Sequence, residues 1–450
     1  MNLSILSVIM LVVFMFLVMT KRVTPLTALI LIPTVFGIIA AVLGLFPVED
    51  IPNPTLLERL YAIGEFAKSG VSETAGTGVL LLFAILYFAT MLATGVFDPI
   101  TKALIRFAGG DPLKILFVTA FVSMCVSLNG DGTTTTLIVC TAFLPIYKKL
   151  GLKIMNLGVL LILMNTIMNL LPWGGPTARA ISVLALNDKE VIQAIIPGMV
   201  VSAIYVLGVS LYLGMKERKR VGIISLSAAD LEALEERSEE EEAKKRPQYF
   251  WFNLIMTIAI IVGLIVSDFP SLFLFAVGTI VALVVNYHSL KEQKARIAEN
   301  AADAVSVVIL VFGAGIFMGI FNGTGMAEAL ATLVVTAIPA SLGNAWGLIV
   351  AIVSAPGTYF LSNDAFYYGV LPVVAEAGVG YGFTNLQLGI ASLLGQAFHL
   401  LSPLVAFIYL LLELTGLEMV EWQKETAKWA VGIFIIFIVM AQLTGIVLIK

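Results

Sequence analysis

Residues 127–136 read SLNGDGTTTT: an amide, a carboxylate, two glycines and four threonines within ten positions, in the middle of an apolar region. In a solvated loop such a composition is ordinary. At membrane depth it is costly, because irregular backbone and ionisable groups are tolerated there only where protein buries them or a watery cavity solvates them. The rest of the chain decides which solvent applies. Of its 450 residues 59% are hydrophobic and 12% charged, about half the ~25% charged share of ordinary globular domains, and the mean hydropathy is +1.01.

Apolar runs, many of the ~20 residues a helix needs to cross the hydrocarbon core, recur near residues 2–19, 24–46, 75–96, 154–186, 190–214, 249–267, 270–287, 304–322, 383–416 and 427–449. Two further apolar blocks, 114–147 and 342–376, are interrupted by polar residues. The composition predicts an all-α polytopic membrane protein in contact with the lipid bilayer. It leaves no soluble catalytic domain and no nucleophile–base constellation, so neither an enzyme nor a nucleic-acid partner is expected. Cys125 and Cys140 both lie inside apolar runs, as packed thiols do. The first apolar run is followed at once by a second, which reads as a retained span.

Lysine and arginine placement sets the topology, since positive loops stay cytoplasmic. Lys21 and Arg22 follow the first span; Lys102, Arg106 and Lys114 precede the block 114–147, and Lys148, Lys149 and Lys153 follow it. With both flanks on one side that block cannot cross; it enters, turns at SLNGDGTTTT and returns as a re-entrant hairpin. The block 342–376 has no basic flank, as expected of a hairpin entering from outside. Both termini are then extracellular. The mixed charge run AADLEALEERSEEEEAKKR, residues 228–246, reads as a solvated helical stretch in a cytoplasmic linker, 215–248. The linker divides the chain into 1–214 and 249–450, each with a hairpin (114–147, 342–376) and a broken helix (154–186, 383–416). Opposite orientation makes them inverted-topology repeats, whose substrate sites lie at discontinuous helices near the midplane. Residues echo the duplication: Leu128 to Asp131 against Leu361 to Asp364, Thr94-Gly95 against Thr324-Gly325, Leu144-Pro145 against Leu371-Pro372, and Asn169-Leu170-Leu171 against His399-Leu400-Leu401.

Hairpin tips and helix breaks expose N–H groups that attract anions and carbonyl groups that attract cations, so an anion accompanied by a cation fits the plan. The substrate-binding candidates are Asn129, Gly130, Thr133 and Thr134 at the first tip; Gly175, Thr177 and Arg179 in WGGPTAR; and Ser362, Asn363 and Ser402 in the second half. Arg179 is the one basic residue within a spanning segment; its fork suits a carboxylate, with a structural ion pair as the alternative. Asp131 and Asp364 are candidates for metal contact or proton coupling, or for capping the helices that follow them. His399 is a candidate proton relay or a packed histidine. Asn165 and Asn169 share a helix face, Tyr359, Tyr367 and Tyr368 group near the second tip, and Asp98 before Pro99 reads as a helix cap.

FLVMTKRVTPLTALILIP, LNGDGTTTTLIVCTAFLPIYKKLG, LLPWGGPTARA and SNDAFYYGVLPV resemble the citrate-metal-proton symporters, the CitMHS family of the ion transporter superfamily. The resemblance covers nearly the whole chain outside the charged linker. It implies symport of a metal–citrate complex with protons by a homodimer in the bacterial plasma membrane, with no permanently bound cofactor; a divalent or trivalent metal travels as part of the substrate. It also implies a scaffold and an elevator-type transport domain. Relatives that couple to sodium carry SNT-type tips, where this chain has NGDG and SND, a departure that favours protons or direct metal contact. A sodium-coupled di- or tricarboxylate carrier and a cation/proton antiporter are the rival expectations.

Overall fold

The computed structural model describes residues 2–48, 51–224, 245–267, 269–337 and 340–450; most of the charge run read as a linker, 228–244, lies outside the described residues. Every main element is a helix, and the only β pairing among the described residues is an isolated bridge between Val48 and Ile51. Among the described residues seven helices are long and apolar enough to cross a membrane. The first half runs α1 Leu3–Met19, α2 Pro25–Val42, α3 Leu56–Ala93, α4 Asp98–Ala108, α5 Pro112–Val126, α6 Gly132–Lys149, α7 Ile154–Met168, α8 Gly175–Leu184 and α9 Asp188–Val221. The second runs α10 Phe250–Val266, α11 Ser271–Asn286, α12 Leu290–Gly323, α13 Met326–Ala337, α14 Trp346–Phe360, α15 Leu371–Gly380, α16 Asn385–Leu394, α17 Ala406–Thr415 and α18 Met419–Leu443.

Two helices are longer than their apolar runs suggest. α3 starts at Leu56, where a Thr55–Glu58 capping box satisfies its first amides. Its 38 residues extend about 57 Å at ~1.5 Å per residue. Likewise Ser289 caps α12 through the Glu292 amide, so the helix begins upstream of its apolar run. Asp98 is corrected by the structure: it is the first residue of α4, Phe97 precedes it without a side-chain cap, and its carboxylate pairs with Lys245 at 3.0 Å.

α3 and α12 cross where both present glycine. A Cβ on Gly70 would stand 1.9 Å from the Gly315 carbonyl oxygen, and one on Gly315 would stand 2.4 Å from the Thr74 hydroxyl. Phe66 meets Gly319 and Gly323 while Phe312 meets Gly78, so the helices run antiparallel. Without a hydrophobic drive between helices in lipid, such close approach supplies the van der Waals contact that holds them. Thr279 on α11 donates to the Phe83 carbonyl at 2.9 Å, Tyr87 meets Thr257 of α10 at 2.9 Å, and Asn253 and Asn286 exchange two amide bonds of 2.8 Å. These contacts bind α3, α10, α11 and α12, with α2, into one group of helices.

The hairpins belong to a second group. Tyr147 donates to Thr119 at 3.1 Å across α5 and α6, and the Trp346 indole donates to the Val374 carbonyl at 2.8 Å across α14 and α15. Each hairpin has its two ends clasped together by the end of one later segment. Arg218 holds Asp111 at 3.0 Å, Glu217 accepts from the Lys153 amide at 3.0 Å and Arg220 reaches the Gly151 carbonyl at 2.6 Å, all from the end of α9. At the second hairpin the Lys450 amide donates to Asn344 at 2.8 Å while its ammonium reaches Gly382. Both hairpins therefore leave at the end where they came in.

Gly70→Val forces apart the backbones of α3 and α12, an overpacking cost of about 1–3 kcal/mol. Its thermal unfolding midpoint in detergent should fall clearly below wild type. A Cβ on Gly76, 6 residues along the same helix, meets nothing within 4 Å, so Gly76→Ala should leave the midpoint unchanged or raise it by the helix-propensity gain of up to about 1 kcal/mol.

Candidate functional site

The first hairpin turns through one turn of 3-10 helix, Ser127–Asn129, closed by Gly130 at φ 76°. The Asn129 side-chain oxygen accepts from the Asp131 amide at 2.8 Å. Asp131 then caps α6: its carboxylate accepts from the amides of Thr133 at 3.2 Å and Thr134 at 2.7 Å, and from the Thr134 hydroxyl. Thr135 bonds back to the Asp131 carbonyl at 2.7 Å, and the Thr136 hydroxyl is buried without a partner among the described residues.

Beside this tip lies the break between α7 and α8. The Trp173 indole donates to the Leu128 carbonyl at 2.8 Å, while its ring stacks on Phe88 at 5.2 Å and meets Phe275 edge-on at 5.0 Å. One side chain thus joins the tip to α3 and α11. The Thr177 hydroxyl is buried and donates to the Leu170 carbonyl at 2.8 Å, fastening α8 to the break.

In the second half Ser362 accepts from the Ala365 amide at 3.2 Å, and the tip continues through a π-helical stretch, Phe366–Val370, into α15. The break after α16 is stitched to α14. The Gly395 amide donates to Ser354 at 3.0 Å, His399 Nδ1 lies 2.7 Å from the Thr358 carbonyl, and the Ser402 hydroxyl donates to the Tyr359 carbonyl at 2.6 Å. Gln396 donates to Asn363 at 2.9 Å and to the Tyr367 hydroxyl at 3.0 Å. Between the halves, Arg179 Nε donates to Asp364 Oδ1 at 2.7 Å, both side chains about one-fifth exposed, and its Nη1 donates to the Gly175 carbonyl at 2.7 Å.

A cavity of about 970 Å³ opens against the first tip. Asn129, Gly130, Asp131, Thr133, Thr134, Trp173 and Gly175 form one wall; Ile85, Ala89 and Leu92 of α3, Lys102 and Arg106 of α4, Lys245, and Glu299, Asn300, Asp303 and Ser306 of α12 form the others. The sequence candidates therefore divide. Six of them reach the cavity, whereas seven are not on its wall: Thr177 fastens the first break, Arg179 and Asp364 form the ion pair, Ser362 and Asn363 stand at the second tip, and His399 and Ser402 at the second break. Asp131 and Asp364 share no ligand set, and among the described residues no three His, Cys, Asp or Glu side chains are grouped to hold a metal. Tyr367 and Tyr368 are buried. Sequence reasoning missed the α12 wall and Lys245. The spacing of Glu299, Asn300, Asp303 and Ser306, one helix face just upstream of an apolar run, was the signal.

The CitMHS family model, described as citrate transporter, matches residues 9–395. The chain belongs to this family. A citrate transporter of Bacillus subtilis (strain 168) is 46% identical over 446 residues, 99% of each chain. A protein of the same organism named as a Mg(2+)/citrate complex secondary transporter is 39% identical over 444 residues, 98% of each. Among solved structures, the YdaH transporter of Alcanivorax borkumensis superposes with a TM-score of 0.59 at 14% identity, covering 93% of this chain and 100% of that one. That likeness concerns the fold alone.

In this citrate transporter family member Gly130 is the residue on which the tip's shape depends. A side chain there adopts left-handed backbone, costing about 1–2 kcal/mol, and its Cβ would press on Trp173 at 3.3 Å. Gly130→Ala should unfold slightly earlier than wild type and lose at least tenfold in citrate uptake by membrane vesicles. Uptake within twofold of wild type would show that the tip's conformation does not matter to the substrate.

Proposed function

We propose that the protein is a secondary transporter that moves a complex of citrate with a divalent or trivalent metal, together with protons, across the bacterial plasma membrane. The observation that carries this reading is the wall of the cavity at the first tip: one carboxylate, Asp131, among hydroxyls, an amide and the N-termini of α6 and α8, with no basic side chain among the tip residues. Free citrate, a trianion near neutral pH, would meet Asp131 as a like charge. A bound divalent metal reduces the net charge to about −1, lowers the cost of leaving water, and turns Asp131 into an attraction. The helix N-termini and threonines then serve the citrate oxygens. Mg2+ is the first metal to test, because the 39% identical relative is named for its magnesium complex.

For the movement, the two halves act as inverted repeats. α3 and α12 with their neighbours form a scaffold, and the hairpins, broken helices and clasping segments travel as an elevator-type unit. The bonds of Gln396 to Asn363 and of Trp173 to Leu128 support such a unit, since each ties a tip to its own break. The cavity then represents one of two alternating openings, the cytoplasmic one if the basic flanks lie inside.

In proteoliposomes, uptake of labelled citrate should require added metal and collapse with a protonophore. Uptake that persists under excess chelator sinks the metal-complex reading, and uptake that needs sodium replaces the proton reading with a sodium-coupled one. Asp131→Asn should reduce metal-dependent uptake at least tenfold while the protein still inserts; normal uptake would reduce Asp131 to a helix cap.

A further inference from the structure

The cavity at the first tip is longer than a citrate ion. Along α6 its wall runs from Asp131 to Ile146, with Thr133, Leu137 and Thr141 on one helix face between them, about 22 Å at ~1.5 Å per residue. α4 lies toward the far end. It joins the end of α3 to Asp111, and Asp111 belongs to the clasped ends of the first hairpin, away from the tip. A substrate that enters from that end passes α4 before it reaches Asp131.

The charged side chains on this wall sort by what already holds them. Lys245 is paired with Asp98 at 3.0 Å and Glu299 with Arg296 at 2.6 Å, and Lys102 is engaged as well. Asp131 uses its oxygens on the first turn of α6, and neither it nor Asp303 forms an ion pair among the described residues. Arg106 is left. It lies one helical turn beyond Lys102 on the cavity wall, its side chain is exposed, and it has neither an ion pair nor a hydrogen bond among the described residues. Carboxylates without a countercharge repel a net anion, and a guanidinium near the entrance attracts one.

A divalent metal held by two of citrate's three carboxylates leaves the third free, and that group carries the net charge of the complex. The complex thus has two ends: a metal, which suits Asp303 and Asp131, and a free carboxylate, which suits neither. We propose that Arg106 forms an entry subsite at the α4 end of the cavity, where its guanidinium binds the free carboxylate of a metal–citrate complex before the complex reaches Asp131. This deepens the metal–citrate reading and rests on it. Captured by its free carboxylate, the complex enters with its metal toward the acidic part of the wall. Arg106 therefore raises the rate of productive encounter and takes no part in the later movement.

Initial rates of magnesium citrate uptake into inside-out and right-side-out membrane vesicles, normalised to the amount of protein, test this. Arg106→Gln should raise KM about tenfold from the face on which the cavity opens, with Vmax within about twofold of wild type. Arg106→Lys keeps the charge and should stay within about threefold of the wild-type KM. Added potassium chloride should raise the wild-type KM from that face more than the Arg106→Gln KM, because the variant has lost a charge that salt screens. Lys148→Gln removes a positive charge from the last turn of α6 that is not on the wall, and its KM should stay within about twofold of wild type. A rise in Lys148→Gln equal to that in Arg106→Gln assigns the effect to the overall field and overturns the subsite. An unchanged KM from both faces in Arg106→Gln, with uptake still metal-dependent, overturns the role of Arg106 alone. Wild-type uptake that persists under excess chelator overturns the metal–citrate reading, and the free carboxylate assigned to Arg106 with it.

Discussion

A peptide N–H or C=O left unpaired away from water costs several kcal/mol, and this chain interrupts its helices at two tips and two breaks. Each interruption is covered by protein. Asn129 and Asp131 take up the amides around the first tip. Trp173 takes the Leu128 carbonyl and Thr177 the Leu170 carbonyl. Ser354, Thr358, Tyr359 and His399 share the groups of the second break. The same requirement that closes these sites also builds them, because a backbone group that needs a partner from its own chain accepts one from a ligand.

Covering the interruptions fixes which parts hold together. Several hydrogen bonds run from α14 to the second break, and one, from Trp173 to Leu128, joins the first break to the first tip. Against the glycine crossing of α3 and α12 the same parts present something looser: Trp173 lies on Phe88 and Phe275 through ring faces and edges. A ring contact permits sliding, whereas a bond from an amide to a hydroxyl does not. On the elevator reading proposed above, this difference in the kind of contact is what would let the site-bearing helices move against α3, α11 and α12.

Much of this was legible in the sequence because it rests on charge and composition. Lys102, Lys114, Lys148 and Lys153 read as the two flanks of a hairpin, and the clasp by Arg218, Glu217 and Arg220 brings the two ends of that block together. SLNGDGTTTT marks the tip, and Asp131, a residue type suited to capping, caps the helix that follows. The length of α3 was not legible: Glu65, Lys68 and Glu73 look like the end of a span in one dimension, but they sit on exposed turns of a helix whose other face packs. The α12 wall was hidden for the same reason, since Glu299 and Asp303 face a cavity only once α3 and α4 have closed around it. Pairing across halves, such as Arg179 with Asp364, depends on how two distant segments meet, and no local pattern encodes that.

The two tips began as sequence echoes of each other and end in unequal roles. Asp131 stands on an open wall with hydroxyls around it; Asp364 is held by an arginine from the opposite half and shielded from that cavity. One arginine serving one tip makes the asymmetry possible, because the first tip has no basic partner on the cavity wall within its own turn. The ion pair between Arg179 and Asp364 is the contact at the second tip for which the first tip shows no counterpart among the described residues.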